Sequence, residues 1–182
     1  MGRNGVGKTT FAKCVIGLER PKGGELYYDG FDLSRLSVEK RAAAGIGYVP
    51  QGRQIFPLLT VEENIRTGFF ASGQGNSHIP SNVYELFPVL REMKNRQGGD
   101  LSGGQQQQLA IARALVLNPK MLILDEPAEG IQPNIVQEIA DVIKMLSQEM
   151  SISVLLVEQK LPFIRKVADN FVIMDRGSVV AS

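Results

Sequence analysis

The chain has 182 residues, 43% hydrophobic and 21% charged, which excludes a disordered, collagen-like or coiled-coil polypeptide and suits one globular domain. Twenty Lys plus Arg against nineteen Asp plus Glu leave a formal charge of +1, so no bulk field draws an anionic membrane and no nucleic-acid partner is expected. No apolar run approaches the ~20 residues of a membrane helix, no signal-peptide pattern follows Met1, and the lone Cys14 excludes an internal disulfide and suits a cytosolic home.

In chain order, residues 8–17 read as a helix stopped by Gly17. Residues 25–28 and those after Asp29-Gly30 read as a hairpin, because Asp-Gly is a tight-turn pair. Residues 37–44 form a short helix capped by Ser37, and residues 46–49 a strand ended by Pro50. Thr60 with Glu63 makes a capping box for a helix to about Thr67. Residues 72–80 are a Gly-, Ser- and Asn-rich loop holding the only histidine, His78, and residues 82–86 a second short helix. Ser102 caps a helix that runs to about Leu117 and ends at Asn118-Pro119.

The last third alternates. Residues 121–124 are an apolar strand leading into Asp125-Glu126-Pro127, and Ile135, Ile139, Val142 and Leu146 mark one buried helical face. Residues 152–157 are continuously apolar, as a strand covered on both faces requires. Residues 163–168 are helical and 171–174 a third strand, followed by an Arg176-Gly177 turn and a strand-like segment at 178–181. The pattern is α/β, a mostly parallel sheet with an antiparallel hairpin element, and the loss of β signal over 51–117 predicts an inserted helical subdomain. Cys14 is expected to face the sheet as a small apolar filler. Tyr27, Tyr28 and Phe31 suit a nucleobase platform or hairpin packing, with packing the expectation.

Three motifs carry chemistry. Gly2-Arg3-Asn4-Gly5-Val6-Gly7-Lys8-Thr9, continued by Thr10, fits G-x-x-x-x-G-K-[ST]. Its glycines let backbone N–H groups turn inward around a phosphate, Lys8 adds a point charge, the Thr9 hydroxyl suits Mg²⁺, and the following helix contributes its positive end. Asp125 and Glu126 stand at the C-terminal edge of an apolar strand, where ligands of open α/β sheets gather; Asp125 suits Mg²⁺ and Glu126 the attacking water of phosphoryl transfer. Leu101-Ser102-Gly103-Gly104-Gln105 is a helix start whose hydroxyl and N–H groups form a second anion site.

With these three motifs in this order, the chain resembles the ABC ATPase family over essentially its whole length. The resemblance implies two ATP molecules held with Mg²⁺ in a head-to-tail dimer, in which Ser102, Gly103, Gly104 and Gln105 of one subunit close on the γ-phosphate bound by the other. Gln51 then matches the family's Q-loop glutamine, which contacts Mg²⁺ and the attacking water and faces a transmembrane permease. Glu129-Gly130-Ile131-Gln132 matches the D-loop, with Gln132 where most members have Asp. Gln159 stands at the switch-histidine position, where an amide can hydrogen-bond a γ-phosphate but cannot take a proton.

Gln159 within Leu156-Val157-Glu158-Gln159 resembles the second ATPase of branched-chain amino acid importers. The segments 49–57, 98–104 and 126–133 resemble urea-transporter ATP-binding subunits of the E type. The implied role is an ATP-hydrolysing subunit, peripheral on the inner face of the cell membrane, that energises a urea importer fed by a solute-binding protein. Alternatives are a branched-chain amino acid importer, a non-transport ABC protein acting on ribosomes or DNA, or an inactive fragment. The implied domain is single, residues 1–182, with the nucleotide-binding core in 1–50 and 118–182 and the Q-loop, helical subdomain and signature helix in 51–117. Relatives carry a strand and an adenine-stacking aromatic ahead of the phosphate loop, so N-terminal truncation, marginal stability and weak ATP binding are expected.

Overall fold

The computed structural model of the chain describes residues 1–72 and 78–182; most of the loop expected at 72–80 lies outside them, and the exposed His78 lies just inside. Three parallel strands form the centre, in the order β3 (Ile46–Val49), β4 (Met121–Asp125), β5 (Ser153–Val157). Their register runs Ile46 opposite Met121 and Met121 opposite Ser153, with Asp125 opposite Val157 at the far end. Parallel neighbours need crossovers, which here are helical.

Side chains alternate across β4, and the core divides accordingly. Leu122 and Leu124 face a large cluster containing Val49, Ile65, Leu109, Ile111, Ile139 and Leu146. Ile123 faces a smaller one with Ala12, Val15, Ile16, Leu33, Ile46 and Val157. The first face is covered by α6 (Gly103–Leu115) and α7 (Pro133–Gln148), the second by α1 (Lys8–Ile16). On α7, Ile139, Val142 and Leu146 are buried as their spacing requires, while Ile135 is half-buried.

The short helices α3 (Val61–Thr67) and α5 (Pro88–Glu92) pack on α6, and α4 (Ser81–Leu86) packs on α5. The anticipated Thr60–Glu63 capping box is formed, and the expected Ser102 cap closes as a second box with Gln105. Helix α5 is an addition to the expected elements, and its first residue is Pro88, a favourable helix start.

Two hairpins flank the sheet. Strands β1 (Tyr27–Tyr28) and β2 (Phe31–Asp32) meet through Asp29 and Gly30, both left-handed (φ 51° and 78°), the pair that a type I′ turn needs. Residues 38–43 follow as α2 (Val38–Ala43), capped by the Ser37 hydroxyl. The packing expected of the hairpin aromatics holds for Tyr28 only: each strand is two residues long, and Tyr27 and Phe31 stay exposed. Cys14 is half-buried, since α1 turns Ala12, Val15 and Ile16 to the core instead.

The larger correction concerns the last strands. β6 (Ile173–Asp175) begins two residues later than expected and pairs only with β7 (Ser178–Ala181), antiparallel, after helix α8 (Leu161–Val167). Strand β5 is therefore not covered on both faces and both edges: Ser153 is exposed and Val154, Leu155 and Leu156 are half-buried. Between β5 and the β6–β7 hairpin lies an apolar cleft of about 780 Å³, lined by Val154, Leu156, Ile164, Phe171, Val172 and Val179 among others. No helix of the described residues is long and apolar enough to cross a membrane.

Candidate functional site

The site grows from the C-terminal end of β4. Asp125 follows Ile123 by two positions, so it shares the face that α1 covers, and it is 1% exposed. There the Thr9 hydroxyl donates to Asp125 Oδ1 at 3.1 Å, and Tyr48 Oη approaches Oδ2 at 3.4 Å from the neighbouring strand. Burial pushes the Asp125 carboxyl up, against the pull of Thr9, Tyr48, Lys8 and Lys13. The Tyr48 phenol is pushed up to about 12, by burial first and by the Asp125 charge second.

Glu126 leaves the strand in a left-handed conformation (φ 50°) that is costly for a residue with a side chain. Its backbone N–H donates to Val157 O at 2.8 Å, which fixes the turn to β5. Its carboxylate lies 3.5 Å from Lys8 Nζ and accepts a 3.5 Å contact from Gln159 Nε2. Burial pushes Glu126 up; Lys8 opposes, while the Glu129 and Glu158 charges add to the rise. Glu158 is buried too, and its carboxylate accepts the backbone N–H groups of Ala128, Gln159 and Lys160 (3.4, 2.8 and 3.1 Å).

The phosphate-loop residues wrap the start of α1. Gly7 caps that helix at φ 102°, a region open to glycine. Gly2 is required by close approach, since a Cβ there would lie 2.4 Å from Met174 O. The β6–β7 hairpin ties the loop down through Met174 N–H to Met1 O (2.8 Å) and Gly177 N–H to Val6 O (3.0 Å). Lys8 is 5% exposed, and its ammonium donates to Gly2 O and Arg3 O at 2.8 Å each. Asn4 and Gly5 are exposed and Thr10 is exposed at the outer side of α1.

Two groups of predicted residues lie apart from this cluster. Gln51 is exposed and its amide donates to Glu129 Oε2 at 2.9 Å, not to Thr9 or Asp125. Ser102, Gly103, Gly104 and Gln105 form the first turn of α6: Ser102 N–H donates to Gln105 Oε1 at 2.9 Å, and Gln105 N–H donates to Ser102 Oγ at 3.3 Å. Among the described residues no hydrogen bond or ion pair joins this turn to the phosphate loop. Its glycines also serve packing, for a Cβ at Gly104 would lie 2.6 Å from Ile135.

Tyr48 and Glu158 were missed as site residues. A buried acid directly after an apolar strand was the available signal for Glu158, as it was for Asp125; nothing local marks Tyr48. For Mg²⁺ the donor set fits: a hydroxyl and a carboxylate already 3.1 Å apart supply hard oxygens, which suffices for an ion that keeps its waters and phosphate ligands. Among the described residues no group of three or more His, Cys, Asp or Glu forms a metal cage.

Comparison with known proteins places the chain in a family. Residues 1–129 match the family model described as ABC transporter. The chain is 39% identical over 181 residues to the high-affinity branched-chain amino acid transport ATP-binding protein BraG of Pseudomonas aeruginosa, spanning 99% of this chain and 77% of that one. It is 33% identical over 182 residues to the Fe(3+) ions import ATP-binding protein FbpC of Escherichia coli O157:H7, spanning 99% of this chain and 51% of that relative. Among solved structures, a dimeric post-hydrolysis state of the ATP-binding cassette MJ0796 bound to ADP and Pi superimposes with a TM-score of 0.88 at 27% identity, covering 100% of this chain and 82% of that one.

Proposed function

The chain belongs to the ABC transporter family, and from that premise we propose that it is the ATP-binding and ATP-hydrolysing subunit of an importer for a small polar solute. The observation that carries this reading is the convergence of Lys8, Thr9, Asp125, Glu126 and Gln159 on one corner of the sheet.

Each residue then has a task. Lys8 exchanges the carbonyls of Gly2 and Arg3 and the Glu126 carboxylate for phosphate oxygens, assisted by the loop N–H groups from Gly2 to Thr10 and the α1 dipole. Thr9 and Asp125 would hold Mg²⁺, joined by Gln51 of the adjoining loop, and the ion would neutralise phosphate charge. Freed of Lys8, Glu126 orients the attacking water and accepts its proton, a task served by a carboxyl raised by burial. Gln159 donates an N–H toward Glu126 and the water, and it cannot titrate. The capped first turn of α6, with Ser102 exposed, meets the nucleotide of a second subunit in a head-to-tail dimer.

Transmembrane permease subunits, joined through the loop beyond Gln51, and a solute-binding protein complete the importer at the inner face of the membrane. Urea is the solute suggested by the motifs at 49–57, 98–104 and 126–133. The BraG likeness favours a branched-chain amino acid as the second reading. MgATP turnover by the chain with its permease, compared with Glu126→Gln, tests the core: the variant should bind MgATP and lose turnover by about 10²–10⁴-fold, and equal rates would refute it. Uptake of labelled urea and labelled leucine by the same complex decides the solute.

A further inference from the structure

Residues 52–54 follow one another in the left-handed region (φ 75°, 68° and 48°), and two of the three, Arg53 and Gln54, carry side chains. What holds them there is Arg113 of α6. Its guanidinium donates to Gln54 O at 2.8 Å and to Arg53 O at 3.2 Å, and it lies over the Phe56 ring at 5.5 Å. No carboxylate among the described residues pairs with Arg113, so its charge is spent on the backbone of this turn. With its backbone fixed, Arg53 extends across the signature turn: a Cβ on Gly103 would lie 3.1 Å from Arg53 Nη1. One arm of its fork reaches Gln106 Oε1 and the other Glu129 O, both at 3.4 Å. The Glu129 carboxylate in turn accepts from Gln51.

We propose that Arg53 is a positioning residue that locks the signature turn at the start of α6 to the loop following Glu126, so that the two move as one body. The proposal rests on the ATPase reading above and deepens it. It connects the surface offered to a second subunit's nucleotide with the loop that carries the acidic pair. Both bonds are long, as suits a bracket spanning two acceptors, and only a planar fork reaches both from one stem. A lysine ammonium in its place reaches one.

Hydrogen exchange on the full chain tests this. In Arg53→Met, amides at 102–106 and at 128–131 should both exchange faster, by about tenfold, while those of β4 keep their rates. Arg53→Lys should not restore them. Unchanged exchange in either segment, acceleration confined to 51–56, or full rescue by lysine would overturn the proposal. In MgATP turnover, Arg53→Met should lower kcat by about tenfold with KM held within about twofold, and a raised KM at unchanged kcat would reassign Arg53 to nucleotide binding. A chain without measurable turnover would fail the ATPase reading, while the exchange result would still decide the role of Arg53.

Discussion

The helical block around α6 and the flank of the sheet at β5 are built from similarly apolar sequence, yet they end in opposite states. In the block, Val61, Ile65, Leu90, Leu109 and Ile111 are fully buried, and the helix starts at Thr60 and Ser102 close their own N–H groups through capping boxes. At the flank, β5 pairs with a strand on one edge only among the described residues, and Phe171, Val172, Val179 and Val180 are exposed. A helix satisfies its backbone from within, whereas a strand depends on what lies beside it. The same hydrophobic content therefore gives a closed core in one place and an open cleft in the other.

Four substitutions and a titration break or sharpen this contrast. The largest effect belongs to Leu109→Ala, which should cost about 2–5 kcal/mol in denaturant unfolding, because Leu109 is fully buried in the main core cluster. Gly68→Val should cost about 1–3 kcal/mol by overpacking, since any Cβ at residue 68 meets Arg113 O at 2.2 Å. Thr60→Ala removes one half of a capping box and should cost about 1 kcal/mol. Leu155→Ala, in the half-buried β5, should cost about 1 kcal/mol in the same measurement, well short of the fully buried Leu109. A cost equal to that of Leu109→Ala would mean that the β5 face is covered, and the contrast would fail.

The smallest effect is one of pH. Burial raises both Asp125 and Glu126 above the ordinary carboxylate range, so the folded chain holds these protons more tightly than the unfolded one. Their contribution is most favourable below the unfolded pKa, declines as pH rises toward the raised folded value, and is fully lost above it. Asp125→Asn should flatten this part of the Tm–pH curve, measured by thermal melts across the carboxylate range. A curve as steep as that of the parent would deny the burial of Asp125.

What sequence could reveal follows the same division. Signals that act over three or four residues were legible: the Thr60–Glu63 and Ser102–Gln105 caps, the Asp29-Gly30 turn, and the buried stripe of α7. The residues of the proposed nucleotide site could be picked out as motifs because each segment carries its chemistry in consecutive positions. The bonds between segments were not. Tyr48 reaches Asp125 across a strand pair, Arg53 reaches Glu129 across the signature turn, and Gln51 turns to Glu129. Each joins positions separated by more than seventy residues, and no local pattern encodes such a partner. The pairing of β6 with β7 is local, across the Arg176-Gly177 turn, but that β6 does not also join β5 escaped, because apolar content describes a strand's faces, not its neighbour.

The free side of β5 carries a consequence for handling the protein. Among the described residues no strand pairs with the outer edge of β5, and unpaired N–H and C=O groups there are a template for any extended chain, including another molecule's β5. A formal charge of +1 supplies almost no mutual repulsion to keep molecules apart. Colloidal behaviour should thus depend on protein concentration far more than on ionic strength, with dilution rather than desalting the way to keep preparations monodisperse.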